Sequence, residues 1–336
     1  MADTRDAFLR RLDELSPGLR REFLKAVRDI TNQAILLDVQ RAIELGKVDE
    51  VVRLLGLEPA ALAPLDQALR ALQAQGAVFQ IAALPRRPRG TTQPRFDSRA
   101  LEAEEWLREH SSKLITEILV DQREVVRAAL EDGLSRGRSP RSTALDLIGR
   151  KSGGSVRSGG VIGLTSQQAG FVSRARRELE SLDDHYFTRK LRDKRYDTRM
   201  RKALRSGNRL SRPEIEQMVS RYAQRLLRRR AETISRTETL AALNAGRLEQ
   251  VRQMVERGDI SRESVSLVWD AVGDSRTRRD HMVMESQTVP LGQPFTGPDG
   301  SQLMFPGDNS LGAPADMIVN CRCTLRVKVD WLSMAV

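Results

Sequence analysis

The stretch NCRCTLRVKV, residues 320–329, decides how the C-terminal part of this chain folds. Its side chains alternate in polarity, and alternation with a period of two is typical of a β-strand that has one buried face. The face that we expect to be buried carries Cys321, Cys323, Leu325, Val327 and Val329. The stretch therefore predicts a strand in a chain whose pattern is otherwise mostly helical.

The sequence before this strand predicts a second strand and a short helix. Residues 264–272 are rich in valine, which favours a strand, and a turn followed by a short helix is predicted over 273–284. Asp274, Arg278 and His281 are separated by four and then three residues. They should therefore lie on one side of that helix.

The N-terminal two thirds of the chain has the apolar spacing of long helices. Two capping boxes, Thr165 with Gln168 and Ser211 with Glu214, predict helix starts, and Pro17 after a serine predicts another. The expected fold class is therefore α+β, with mostly long helices first. A small mixed α/β domain with a short antiparallel sheet should follow at the C-terminus.

Changes in composition divide the chain into four predicted regions. Residues 1–84 are expected to form an N-terminal helical region. The segment 85–97 contains three prolines and a glycine, so we expect a linker or exposed loop there. Residues 98–260 are predicted as a basic region of long helices, and residues 261–336 as a compact C-terminal module.

The net charge of +11 is concentrated in the middle of the chain. Residues 134–260 hold 29 Lys and Arg against 14 Asp and Glu, an excess of +15, which leaves about −4 for the rest. Such a block indicates a polyanionic partner, either a nucleic acid or an acidic protein surface. Solvated helix faces would have the same composition, so both interpretations stay open.

One basic helix within this block is the candidate nucleic-acid-binding element. Its arginines follow one another at helical spacing along the helix that begins near Ser211. The candidates are Arg221, Arg225, Arg228, Arg229 and Arg230. Because few aromatic residues lie among them, we expect contacts to the phosphates of double-stranded DNA, without sequence preference and sensitive to salt.

Cys321 and Cys323 are the only cysteines, and their spacing does not suit a disulfide. Together with Asp274 and His281 they offer two thiolates, an imidazole and a carboxylate, a set that suits tetrahedral Zn²⁺. A zinc ion would also tie down the proline- and glycine-rich loop between them. The alternatives are that both cysteines are small core residues, or that the set is a hydrolytic centre.

A series of motifs in fixed order runs through residues 230–330. It consists of Arg236-Thr-Glu238, Trp269, GDSRTRRDH at 273–281, Phe305-Pro-Gly307, Ala313-Pro-Ala-Asp316 and NCRC at 320–323. This series resembles the phage Mu protein F-like family of head morphogenesis proteins. Residues 1–150 carry no motif that we can assign to a family.

The resemblance implies a minor structural protein of a phage head, associated with the portal, head assembly or DNA delivery. Its expected partners are portal, major head or scaffold proteins. Non-specific contact to double-stranded DNA is expected from the basic middle region and not from the resemblance. Its expected location is the virion, in the head interior or near the portal, after assembly in the host cytoplasm. No run of 18 apolar residues exists and the N-terminus lacks a signal-peptide core, so no membrane association is expected.

Most residues of the motif series are expected to form an internal scaffold. This set comprises Arg236, Thr237, Glu238, Trp269, Asp274, Arg278 and Asn320. The alternative function is a metal-dependent enzyme that processes nucleic acids, centred on Asp274 and His281. We favour a non-enzymatic role, because a nuclease would need more clustered carboxylates or a second histidine nearby. His110 and His185 lie in charged segments and are expected at the surface.

Overall fold

The computed structural model describes residues 5–84, 94–151 and 154–331. The predicted α+β class is confirmed: helices dominate the N-terminal part, and the strands that form a three-stranded sheet lie near the C-terminus. None of the described helices combines the length and the apolar composition that crossing a membrane would require.

The helices and strands follow one another in chain order. The helices are α1 (Arg5–Gln33), α2 (Leu36–Glu44), α3 (Val48–Leu54), α4 (Ala63–Ala83), α5 (Leu101–Ser135), α6 (Pro140–Ile148), α7 (Ser166–Ser181), α8 (Asp197–Ser206), α9 (Arg212–Glu256), α10 (Arg279–Val283) and α11 (Ala315–Ile318). The strands are β1 (Arg150–Lys151), β2 (Arg157–Ser158), β3 (Val265–Asp270), β4 (Thr288–Pro290), β5 (Phe295–Thr296), β6 (Gln302–Leu303) and β7 (Thr324–Val329).

The chain forms two compact units, each assembled from segments that are distant in sequence. Unit 1 comprises Met1–Arg21, Leu65–Ser112 and Glu232–Val336, and unit 2 comprises Glu22–Pro64 and Lys113–Ala231. This division differs from the four consecutive regions that composition predicts. The physical reason is that burial of apolar helix faces groups segments by contact, not by their order along the chain.

A three-stranded antiparallel sheet with the order β4-β3-β7 organises unit 1. The central strand β3 pairs with β7 from Val265 opposite Val329 to Asp270 opposite Thr324. Its inward residues join side chains of α1 and α9 in one buried cluster. The cluster includes Phe8, Leu243, Val251, Trp269 and Leu325.

Helices α4 and α9 touch at backbone distance within unit 1. A Cβ added at Gly76 would lie 2.1 Å from the carbonyl oxygen of Leu243, and one at Gly246 would lie 1.9 Å from that of Gln73. Both distances are far below van der Waals contact, so only glycine fits at these two positions.

A buried cluster of arginines and carboxylates lies in unit 2. Arg176, 5% exposed, donates to both carboxylate oxygens of Glu216 at 2.7 and 2.9 Å and to Asp146 at 2.9 Å. Arg138 and Arg150 contact the same two carboxylates. Three of the cations that make the middle of the chain basic are therefore paired with carboxylates inside unit 2.

Both predicted helix starts are confirmed, with a complete capping box at Thr165 and only the glutamate half of one at Ser211. The Thr165 hydroxyl accepts from the amide of Gln168 at 3.2 Å, and the Gln168 side chain accepts from the amide of Thr165 at 3.2 Å. The Glu214 carboxylate accepts from the Ser211 amide at 3.0 Å and hydroxyl at 2.7 Å. Helix α9 begins at the next residue.

Two local predictions are wrong. Pro17 does not start a helix but lies inside α1, because the buried positions Phe8, Leu12 and Leu19 continue across it. Their burial outweighs the hydrogen bond that an interior proline removes. The predicted C-terminal strand is also too long, since β7 begins after both cysteines. Of the predicted linker over 85–97, residues 85–93 lie outside the described residues.

Candidate metal centre

A tight turn places His281 at the edge of the sheet of unit 1. The Asp274 carboxylate accepts from the amide of Arg276 at 3.0 Å and from the hydroxyl of Thr277 at 3.1 Å, which closes the turn after β3. Helix α10 follows and carries His281, whose ring is 1% exposed. Its imidazole meets the Trp269 indole edge to face, with ring centroids 5.5 Å apart.

The segment that carries the cysteines is held by two contacts. Arg278 donates to the carbonyl oxygen of Val319, and the hydroxyl of Thr237 accepts from the amide of Asn320 at 3.0 Å. Asn320 has a φ of +53°, a left-handed conformation that asparagine tolerates better than most residues. This turn directs Cys321 towards α10.

Three side chains meet in the interior at this point. The Nδ1 atom of His281 lies 3.5 Å from Sγ of Cys321 and 3.3 Å from Sγ of Cys323. The three ligand atoms all lie within 4.8 Å of one another. Within the described ranges, this is the only group of at least three His, Cys, Asp or Glu side chains close enough together to hold a metal ion.

The pKa values of the two cysteines are shifted in opposite directions. The hydrogen bond from the Cys323 side chain, helped by His281 and the Cys323 amide at 3.3 Å, holds the pKa of Cys321 well below its usual range. The same bond and burial raise the pKa of Cys323. Of the two thiols, that of Cys321 is therefore the easier to ionise.

Asp274, the fourth residue predicted for a metal set, is not part of this group. Its carboxylate is half exposed and forms a two-pronged ion pair with the guanidinium of Arg322, one contact of which measures 2.8 Å. That ion pair holds the pKa of Asp274 far below its usual range. Asp274 therefore ties its turn to the cysteine segment through Arg322.

A small cavity lies beside the three ligand atoms. Its volume is about 10 Å³, and its walls include His281, both cysteines and the side chains of Arg276, Arg278 and Arg322. A volume of this size is close to the minimum that accommodates one water molecule. The cavity therefore has room for about one solvent molecule beside the three ligand atoms.

The residues Arg236, Thr237 and Glu238 contact three different segments of unit 1. Arg236 donates to Asp13 at 2.7 Å, and Glu238 lies 2.6 Å from Nε2 of His110. Thr237 holds the cysteine segment, as described above. The prediction that His110 lies at the surface is wrong, because its ring is 9% exposed and pairs with Glu238. His185 is exposed, as expected.

The predicted basic face of α9 is smaller than its sequence suggests. Arg230 is 8% exposed and donates to Asp121 at 2.8 Å and to the carbonyl oxygen of Gly163 at 3.2 Å, so it cannot meet DNA at the surface. Arg225 is half buried and contacts Asp193 at 3.2 Å. The remaining candidates are exposed: Arg221, Arg228 and Arg229.

Helix α8 presents a basic surface whose residues are not among the candidates that the sequence predicts for nucleic-acid binding. Met200 and Ala203 form its buried side. Its exposed cations, with one that follows the helix, are Arg199, Arg201, Lys202, Arg205 and Arg209. Four cations within a ten-residue amphipathic helix were a signal available in the sequence.

Comparison with known proteins identifies one family. Residues 194–326, about two fifths of the chain, match the family model described as Phage Mu protein F like protein. No curated protein and no solved structure matches the chain. The matched span contains α8, α9 and the cluster of His281 with Cys321 and Cys323.

Proposed function

We propose that this chain, whose residues 194–326 match the family model described as Phage Mu protein F like protein, is a minor structural protein of a phage head that acts in assembly near the portal. The observation that carries the proposal is the family match. The contacts of the motif residues support a structural role, since Arg236, Thr237 and Glu238 each bind a different segment of unit 1.

The experiment that tests this role is to locate the protein in intact particles by electron microscopy. An epitope tag would mark its position in heads and in assembly intermediates. We expect a few copies inside the head or at the portal vertex. Absence from purified heads, or a position on the outer surface of the shell, would contradict the proposal.

The distribution of charge supports contact with packaged DNA as a second part of the proposal. Counted by structural unit, the residues of unit 2 have a net charge of +12 and those of unit 1 have −1. The polyphosphate backbone of DNA is the polyanion abundant in a phage head, and cations bind it by releasing counterions. Unit 2 is therefore the proposed DNA-contacting part.

The exposed cations of α8 are the proposed contact site. Lys202, Arg205 and Arg209 are exposed, and within the described part of the chain no carboxylate forms an ion pair with them. Cations that are not neutralised by neighbours remain available to phosphates. By contrast, the buried Arg230 and the half-buried Arg225 are already paired.

Replacement of Lys202, Arg205 and Arg209 by glutamine tests this site. The triple variant should bind double-stranded DNA more weakly at low salt. The slope of the logarithm of the binding constant against the logarithm of the salt concentration should fall in magnitude by about 2–3, because roughly one counterion is released per phosphate contact. Fluorescence anisotropy with a labelled duplex measures both.

The matched control removes the same charge from exposed positions of unit 1, at Arg10, Arg21 and Arg108. This control should leave affinity and slope nearly unchanged. Equal losses in both triple variants would mean that net charge alone, and not the α8 surface, governs binding.

A further inference from the structure

We propose that His281, Cys321 and Cys323 bind one Zn²⁺ ion, with the fourth coordination position open to the small cavity beside them. This inference does not depend on the role in head assembly. It rests on the positions of three side chains in the folded chain, and it excludes Asp274 as a ligand.

The distances between the ligand atoms fit a tetrahedral ion. Bonds of about 2.3 Å from zinc to sulfur and about 2.05 Å from zinc to nitrogen place neighbouring S and N atoms about 3.6 Å apart in a tetrahedron. The Nδ1 atom of His281 lies 3.5 Å from one sulfur and 3.3 Å from the other. Both nitrogen–sulfur distances therefore lie within a few tenths of an ångström of those in a tetrahedral zinc site, and the two sulfur atoms lie within 4.8 Å of each other.

Burial removes the polar atoms of these side chains from water, so that a bound metal ion could replace the lost interactions with solvent. His281, Cys321 and Cys323 are each at most 2% exposed, so solvent has little access to their polar atoms. The other ring nitrogen of His281, Nε2, is buried and has no hydrogen-bond partner within the described residues. Within the described residues, the polar contacts of this imidazole are thus to the two sulfur atoms.

The surrounding contacts hold the three ligands in place without any ion. Arg278 and Thr237 fix the backbone at Val319 and Asn320, immediately before Cys321. The Asp274–Arg322 ion pair ties the turn before α10 to the residue between the two cysteines. A site organised in this way loses little conformational entropy when it binds a metal.

The donor set selects the ion. Two thiolates with one imidazole are soft ligands that suit Zn²⁺, whereas Mg²⁺ and Ca²⁺ prefer oxygen atoms. On binding, any thiol proton leaves to solvent, so both sulfur atoms coordinate as thiolates. Zinc bound to three protein side chains takes a solvent molecule as its fourth ligand, and the cavity of about 10 Å³ can hold one.

The expected role of the ion is to join α10 to the cysteine segment. His281 and Cys321 are separated by a loop of about 40 residues that contains only short strands and one short helix. A zinc ion that bridges the ends of this loop would restrict the unfolded chain and stabilise unit 1.

Metal analysis of the full-length protein, purified from zinc-supplemented cells, tests the proposal. We expect about one zinc ion per chain. Removal of zinc by a chelator should lower the unfolding temperature, and Zn²⁺ but not Mg²⁺ should restore it. Replacement by Co²⁺ should produce thiolate-to-cobalt charge-transfer absorption, which reports sulfur ligands directly.

Variants distinguish the three-residue set from the four-residue set that the sequence suggests. Cys321→Ser and His281→Ala should lose the metal, whereas Asp274→Asn removes a supporting ion pair but no ligand and should still bind one zinc ion per chain, with at most a reduced affinity. If the first two variants do not fold, zinc release from the wild-type protein on thiol modification tests the same ligands. The proposal is overturned if the folded wild-type protein holds no stoichiometric zinc and gives no cobalt–thiolate spectrum, or if folded Asp274→Asn loses the ion.

Discussion

His110 is buried in unit 1, where Nε2 lies 2.6 Å from a carboxylate oxygen of Glu238 and the ring stacks on Trp106 with centroids 4.6 Å apart. Burial acts to lower the pKa of His110, but the hydrogen bond to Glu238 and the charges of Glu238 and Asp308 raise it overall. A raised pKa in the folded state means that the protonated imidazole stabilises the fold. This stabilisation is complete below the unfolded pKa near 6.5 and is lost as the pH rises through the folded pKa.

Replacement of His110 by glutamine should therefore destabilise the protein most at low pH. We expect a loss of about 1.5–3 kcal/mol in the free energy of unfolding near pH 5.5, because a charge-assisted hydrogen bond is removed. The loss should be smaller above the folded pKa. Urea unfolding at a series of pH values measures the difference. His185→Gln, at an exposed position, is the control and should have no effect. A loss that does not change with pH would contradict the assignment.

At the scale of secondary-structure elements, the contact between α4 and α9 depends on two glycines. A methyl group at Gly246 would overlap the backbone of Gln73 at 1.9 Å, and backbone cannot move aside as a flexible side chain can. The two helices would have to separate. Part of the core that α9 shares with the sheet would then be disturbed.

Gly246→Ala should accordingly lower the free energy of unfolding by about 1–3 kcal/mol or more, despite the higher helix propensity of alanine. Thermal unfolding monitored by circular dichroism measures the change. Gly170→Ala in α7 is the matched control, because a Cβ there meets nothing closer than the Arg174 guanidinium at 3.5 Å. That substitution should stabilise the protein by about 0.5–1 kcal/mol. If both variants behave alike, the two helices do not meet at the distances described.

At the scale of the whole molecule, positive charge is segregated into one unit. A net charge of +12 on the residues of unit 2 and −1 on those of unit 1 should restrict DNA contact to unit 2. Hydrogen–deuterium exchange with and without a DNA duplex measures this. We expect slower exchange in peptides that cover α8, and no change in peptides that cover β3 and α10. Slower exchange in the sheet of unit 1 on DNA binding would contradict the proposal that unit 2 contacts DNA.

Several features of this protein could be determined from the sequence alone. The α+β class, the helix starts at Thr165 and Ser211, and the strand after Cys323 all follow from residues within a few positions of one another. The family resemblance also depends on the order of motifs and not on their contacts. Local interactions are sufficient for such features, because neighbours in sequence are neighbours in space.

Which of the candidate residues contact one another was decided by the tertiary structure. It placed His281 between the two cysteines but engaged Asp274 with Arg322, and it buried Arg230 and His110 beside carboxylates from other segments. Helical spacing identifies which side chains share a face, but it does not reveal what that face packs against. Partners separated by 40 to 130 residues are chosen by burial and charge pairing in the folded chain, and only the folded chain could identify them.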